Sequence, residues 1–285
     1  MKTTLLTALA AAALAAGCSK SDTGTPCVKI APTIQTRVTG LHFDTGDRIG
    51  LSIAKGSATY VQNVLMTYDG TAFTAADLLW YNDSNEKSTL TAYHPYSEQG
   101  MPAEFSVATD QTSGGASSDL LVAVKKEVTP SSAPVGMLFY HVMSQLTIVL
   151  TNNSDAPVTG VTVGGLVPTA GVDFTVPSAA AKSGAAAADV EAFEVTADAA
   201  YRAILVPQQA TLTVTVATGD GKSRSKTLSS AQLESGRRYD MSVLVTNEEI
   251  QISLSGDIGD WEDGGSLDGS GGGDGGDDDS QTLSY

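Results

Sequence analysis

The chain has 285 residues, 41% of them hydrophobic, and a formal net charge of −16. That apolar fraction is enough for real cores, whereas the acidic balance excludes phosphate-backbone partners, which need clustered Lys and Arg; no nucleic acid is expected. Two cysteines exclude a disulfide-dense fold and a metal centre built on cysteine.

The first element is "MKTTLLTALAAAALAAGCSK": one lysine, fourteen residues of Thr, Leu and Ala, then Gly17-Cys18. The run is too short to span a bilayer comfortably but suits a signal-peptide core. "LAAGC" resembles a bacterial lipobox, in which the cysteine becomes the acylated N-terminus. Residues 1–17 are therefore expected to be a lipoprotein signal peptide. Cys18 is the expected lipid attachment site, with outer-membrane lipid as its partner. Cys27 then has no intramolecular partner and falls in a tether and leading strand, residues 18–36.

From Val28 to Trp261 the text reads strand, turn, strand. "RIGLSIA", "VQNVLMTY", "STLTAYH", "AEFSVAT" and "DLLVAVKKEV" come first, then "QLTIVLT", "GVTVGGL", "DFTVP", "FEVT", "RAILVPQ", "TLTVTVA", "DMSVLVT" and "IQISL". Several alternate, as in Leu212, Val214 and Val216 against Thr211, Thr213 and Thr215. Short, regularly spaced strands of this kind predict an all-β sandwich or barrel. Asp69-Gly70 and Gly219-Asp220-Gly221 read as hairpin turns, and Asn152-Asn153 as a strand end. The Ala-rich "SAAAKSGAAAADVEAF" is broken by Gly184 and predicts a long loop with at most a short helix. Pro and Ser gather in "VTPSSAPVG", residues 128–136, which predicts a boundary between domains at 37–136 and 137–262.

Nine of the acidic residues and no basic one lie from Asp257 to the end. The Gly/Asp-rich tail, residues 263–285, has too little apolar surface to order itself. Gly271, Gly273 and Gly276 fit a dinucleotide fingerprint by spacing, but no strand precedes them and no helix follows. Calcium-loop spacing is absent as well, so no cofactor or metal is expected.

The chemistry-bearing residues are scattered. His42, His94 and His141 sit in strand or turn contexts outside any zinc motif, and no nucleophile elbow or P-loop is present. The chain does not read as an enzyme. Trp80, Tyr81, Tyr93, Tyr96 and Trp261 either line a sugar platform or fill a sandwich core.

Seven phrases occur in an order that is informative together. "TRVTGLHFDTGDRIGLSI", "LTAYHPY", "DQTSGGASSDLLVA", "FYHVMSQLTIVL", "ILVPQ", "LESGRRYDMSVLV" and "IQISLSGDIGDW" resemble the succession found in the Bacteroidetes fimbrillin family, the pilins and anchors of type V pili. The resemblance runs from Arg37 to Trp261. It implies two transthyretin-like β-sandwich domains in tandem, in a secreted lipoprotein of the outer membrane that assembles with other fimbrillin subunits. It also implies cutting by a trypsin-like, Arg-specific protease after an arginine near the first strand. Arg37 in "QTRVTG" matches that position, with Val38 following the cut. "CVKIAPTIQTR" would then be a removable strand, and another subunit's strand would fill the groove it leaves. The other reading of Arg37 is a surface cation on a strand that stays.

Two functions compete at this point. One is a tip- or anchor-type fimbrial subunit that supports adhesion. The other is a monomeric surface lipoprotein that binds glycan or host protein through its loops. The Gly/Asp tail favours a terminal position over a stalk, because a donor strand has to be apolar and extensible.

Overall fold

The computed structural model describes residues 24–35, 42–253 and 262–266, with Ser253 and the last five as backbone only. Among these residues strands are the regular elements, joined by turns and loops and accompanied by one three-residue 3-10 turn at Ala116–Ser118. The all-β expectation holds. In chain order the strands are β1 (Ile30–Ile34), β2 (Arg48–Lys55), β3 (Ala58–Tyr68), β4 (Phe73–Thr74), β5 (Ser88–His94), β6 (Glu104–Ser106) and β7 (Leu121–Val128). Then come β8 (Val135–His141), β9 (Ser144–Asn152), β10 (Val158–Leu166), β11 (Thr169–Asp173), β12 (Ser178–Ala181), β13 (Ala188–Glu191) and β14 (Phe193–Thr196). The last are β15 (Ala200–Leu205), β16 (Gln208–Thr218), β17 (Ser223–Leu233), β18 (Arg237–Val245), β19 (Ile250–Ser253) and β20 (Glu262–Ser266).

Two compact units divide the chain, and the division is not at one point. Among the described residues, unit 1 takes 24–34, 42–101 and 123–139; unit 2 takes 35, 102–122, 140–253 and 262–266. The Pro/Ser stretch 128–136, read from sequence as a boundary, joins β7 to β8 within unit 1.

Unit 1 closes on itself in the strand order β1-β4-β3-β2-β5-β7-β8. Alternation explains which residues fill it. Ile49, Leu51 and Ile53 on β2, Leu90 and Ala92 on β5, and Met137 and Phe139 on β8 point inward and are buried. Gly50 is required by a close approach: a Cβ there would lie 2.3 Å from Tyr93 Cε1 and 2.5 Å from Asn63 Oδ1. Tyr93 takes that space and donates its hydroxyl to Asn63 Oδ1 at 2.7 Å. Burial pushes its phenol up from the ordinary tyrosine range. Asp69 turns β3 into β4, but through four residues rather than two. Its carboxylate accepts from the Thr71 and Ala72 amides at 2.8 Å, and these bonds hold its carboxyl below the usual range, the Ala72 bond most of all.

Unit 2 holds two principal sheets, β13-β10-β16-β17 and β14-β15-β9-β18-β19, around one core, with a small third sheet β12-β11-β6. The core takes Leu212, Val214 and Val216 from β16 and Leu146, Ile148 and Leu150 from β9. Thr211, Thr213 and Thr215 of β16 face outward, and two of them bond across to β17, Thr213 to Thr227 at 3.0 Å and Thr215 to Ser225 at 2.8 Å. At Ala192 the chain leaves the first sheet as β13 and joins the second as β14, closing that side of the sandwich. The Ala-rich segment is thus not a long loop or helix. Its two halves are β12 and β13, separated at Gly184, because pairing with β11 and β10 overrides local alanine propensity. Residues 262–266, most of them in the segment expected to lack structure, run parallel to β18 as β20.

Candidate functional site

The segment expected to be removable is an integral part of unit 1. On one flank, the Val28 amide donates to the Leu78 carbonyl at 2.9 Å and the Trp80 amide to the Pro26 carbonyl at 3.0 Å; Cys27 bridges Leu79. On the other, the Lys29 carbonyl accepts from the Val135 amide at 2.8 Å, and Ile30–Ile34 run parallel to Val135–Phe139. Alternate residues of a strand turn their main-chain groups to opposite flanks. Lys29, Ala31 and Thr33 therefore address β8, while Val28, Ile30 and Pro32 address the opposite side. Both flanks are paired only around Ile30, which stands opposite Phe73 on β4 and Val135 on β8. Pro32 has no N–H, and its missing donor faces away from β8. The β8 ladder loses nothing, and β4 gets no further partner.

Side chains follow the same division. Val28 and Ile30 are fully buried, whereas Pro32 and Ile34 are half-buried and Thr33 is exposed. Near Ile30 the wall is aromatic: Phe43 meets Phe73 edge-on at 4.9 Å and Phe139 at 5.2 Å. Burying a Val or Ile side chain contributes about 1.5–3 kcal/mol, so Val28 and Ile30 anchor the segment. Taking it away exposes an apolar strip and leaves Val135 and Trp80 amides and the Leu78 carbonyl without these partners. Open main-chain groups beside apolar positions two residues apart are the chemistry that strand addition uses.

Cys27 lies at the start of this segment. It is buried, not part of a loose tether. Cys18, Arg37 and Val38 lie outside the described residues, as does Trp261.

The remaining sequence candidates do not converge on one another. Trp80, Tyr81 and Tyr93 are buried and do not form a sugar platform. His42 lies 3.6 Å from Asp44, and His94 Nδ1 bonds the Arg48 carbonyl at 2.9 Å. Buried His141 meets Asp119 at 2.9 Å, joining the "FYHVMS" and "SSDLL" phrases within unit 2. No group of three metal-ligating side chains is present among the described residues.

Sequence reasoning missed two amide latches in unit 2. Gln111, wholly buried, accepts from the Ile204 amide and donates to the Ile204 carbonyl, both at 2.8 Å, and donates to the Ala108 carbonyl at 3.0 Å. A side-chain amide here serves as a peptide group, fastening residues 102–122 to β15. Gln208 does the same for Val167, accepting from its amide and donating to its carbonyl, each at 3.0 Å. Both glutamines lie in quoted phrases, "DQTSGG" and "ILVPQ". Their pairing partners are distant in sequence, so no local pattern announces them.

The fold has solved counterparts. A Bacteroides ovatus protein provisionally assigned to cell adhesion superposes with a TM-score of 0.67 at 22% identity, covering 83% of this chain and 98% of its own. One from Bacteroides uniformis with the same provisional assignment gives 0.66 at 17% identity, covering 82% and 97%. A third from Bacteroides fragilis gives 0.52 at 14%, covering 80% and 93%. At these identities the likeness concerns the fold. No curated protein matches the chain. The family model described as Fimbrillin-like matches residues 36–261, most of the chain, and the seven ordered phrases fall within it or across its first residues; the chain belongs to the Fimbrillin-like family.

Proposed function

We propose that this protein is a fimbrial subunit, tip- or anchor-type, exported as a lipoprotein through Cys18 to the outer membrane and joined to other fimbrillin subunits by strand replacement in unit 1. The observation that carries the reading is the way Pro26–Ile34 sits: a leading segment, anchored by Val28 and Ile30, that completes the strand order of unit 1 by pairing with both β4 and β8. The family match begins at residue 36, just before Arg37, so the leading strand lies outside it. An Arg-specific, trypsin-like protease cutting between Arg37 and Val38 would free that strand from the body. Solved proteins of the same fold are provisionally assigned to cell adhesion, which supports an adhesive role. The position is terminal because the apolar C-terminal segment that would serve as a donor is engaged at home: Ile250 is buried, and β19 pairs with Ser242–Val245 of β18.

The test is the mass of the protein taken from intact cells, for the native sequence and for Cys18→Ala and Arg37→Ala. We expect acyl mass on Cys18 in unprocessed chains, loss of membrane association in Cys18→Ala, and loss of both cutting and higher-order species in Arg37→Ala. A sulfur cannot hold a thioether and a disulfide together, so an intact Cys18–Cys27 disulfide in the membrane-bound form would exclude acylation at that sulfur. Normal assembly by Arg37→Ala would exclude the cleavage step, and a chain that stays monomeric throughout would favour a solitary surface lipoprotein.

A further inference from the structure

We propose that strand replacement in unit 1 has a fixed direction. An incoming strand docks first on β8 at Met137–Phe139, opposite Pro32–Ile34, and displaces the Val28–Ile30 half last. The proposal rests on the strand-replacement reading above and adds the order of events and the chemistry of the incoming strand.

Three features of the leading strand set the direction. Its two halves are held by different neighbours, Pro26–Val28 by Leu78–Trp80 and Lys29–Ile34 by β8, with overlap only near Ile30. The β8-paired half carries half-buried and exposed side chains, and the other half carries the fully buried Val28 and Ile30. Pro32 ends pairing on the flank away from β8, so among the described residues nothing but β8 pairs with Ala31–Ile34. Opening Ala31–Ile34 therefore breaks a few hydrogen bonds to β8 and exposes little apolar surface, whereas opening Val28–Ile30 empties two pockets. Local openings follow the smaller cost. The strip of β8 so uncovered offers Val135, Met137 and Phe139 main-chain groups to a newcomer before the old strand has left.

The same register describes what the newcomer has to be. It is an extended segment running parallel to β8, with aliphatic, β-branched residues two apart to fill the positions of Val28 and Ile30. At the positions of Ala31 and Thr33 it needs N–H groups, because these face β8. Proline is tolerated at the position of Pro32 and not at its neighbours.

The direction is read in two experiments. In the intact chain, hydrogen exchange followed by NMR should show the Ala31 and Thr33 amides opening at least about tenfold faster than those of Val28 and Trp80, the difference expected for burying or not burying one aliphatic side chain. Equal or reversed protection overturns the direction and leaves the strand-replacement reading standing. In the chain cut after Arg37, release of a labelled resident strand is followed on adding excess synthetic peptide of residues 24–35, with Cys27→Ser. Release should accelerate with peptide concentration. A Thr33→Pro peptide, which removes an N–H facing β8, should release the label about tenfold more slowly. An Ile30→Ala peptide should start at the unaltered rate but reach at least about tenfold lower occupancy. Release that ignores peptide concentration, or that Ile30→Ala slows more than Thr33→Pro does, overturns the direction. No replacement by any peptide overturns both readings together.

Discussion

Units 1 and 2 are both built from alternating strands closed around an apolar core, and they differ in what closes them. In unit 2 the chain itself crosses between sheets at Ala192, and the segment 102–122 is pinned by the Gln111 amide; the closing pieces are internal to the sequence. In unit 1 the ring is completed by β1, which is five residues long and is the first strand of the described residues. A closing piece in mid-chain cannot leave without unfolding its unit. A closing piece that precedes the rest of its unit is separable by one cut, and what it leaves behind is a defined strip between β4 and β8. On the proposed function, that contrast assigns assembly to unit 1.

The largest single effect is expected in unit 2, at Gln111. Gln111→Leu keeps the bulk but strands the Ile204 amide and carbonyl in a buried place, at about 1–3 kcal/mol for each unsatisfied group. A loss of about 4 kcal/mol is expected in denaturant titration, and a loss under 1 kcal/mol would mean that residues 102–122 are held by something else. Next comes Ile30→Ala, a large-to-small change in the unit 1 core, expected to cost about 3 kcal/mol. If it costs nothing, the leading strand does not contribute to closing unit 1.

How much of this contrast is legible in the sequence depends on the distance between the partners. The inward and outward faces of β16 follow directly from Leu212, Val214 and Val216 against three threonines, because the period of two is a property of the strand alone. The parallel pairing of Ile30–Ile34 with Val135–Phe139 joins positions a hundred residues apart and leaves no mark in either stretch. The Ala-rich segment misleads for the same reason. Its local preference is helical, and the strands that capture it, β10 and β11, are elsewhere in the chain. Gln111 reads as an ordinary polar residue until Ile204 is placed beside it. Arg224 is similar: it is buried, donating to Thr218 Oγ1 at 2.7 Å and the Asn247 carbonyl at 2.8 Å, where sequence shows only a basic residue in a polar strand.

Arg224 gives a smaller prediction, in pH. Asp220, 3.8 Å from it, accepts from the Thr218 hydroxyl, and this bond chiefly lowers its carboxyl from 3.8 to about 2. A depressed folded value means that the contribution is present above the unfolded value and lost as pH falls from about 4 through about 2. Comparing native chain with Asp220→Asn, the stability difference should narrow over that interval; an unchanged difference would show that Asp220 does not serve the β16–β17 turn. The smallest effect is expected at Thr213→Val on the outer face of β16, within about 0.5 kcal/mol, since the Thr213–Thr227 bond is exposed to water. A larger loss would mean that this face is covered.

The central claim, that β1 is a separable strand filling a groove that accepts another, is tested most directly by native mass spectrometry of the chain cut after Arg37. The account predicts a folded body that keeps the leading peptide without a covalent link and exchanges it for an isotopically labelled peptide of residues 24–35, one for one. A body that unfolds on cutting, or one that stays folded but neither holds the leading peptide nor takes up the labelled one, would contradict it.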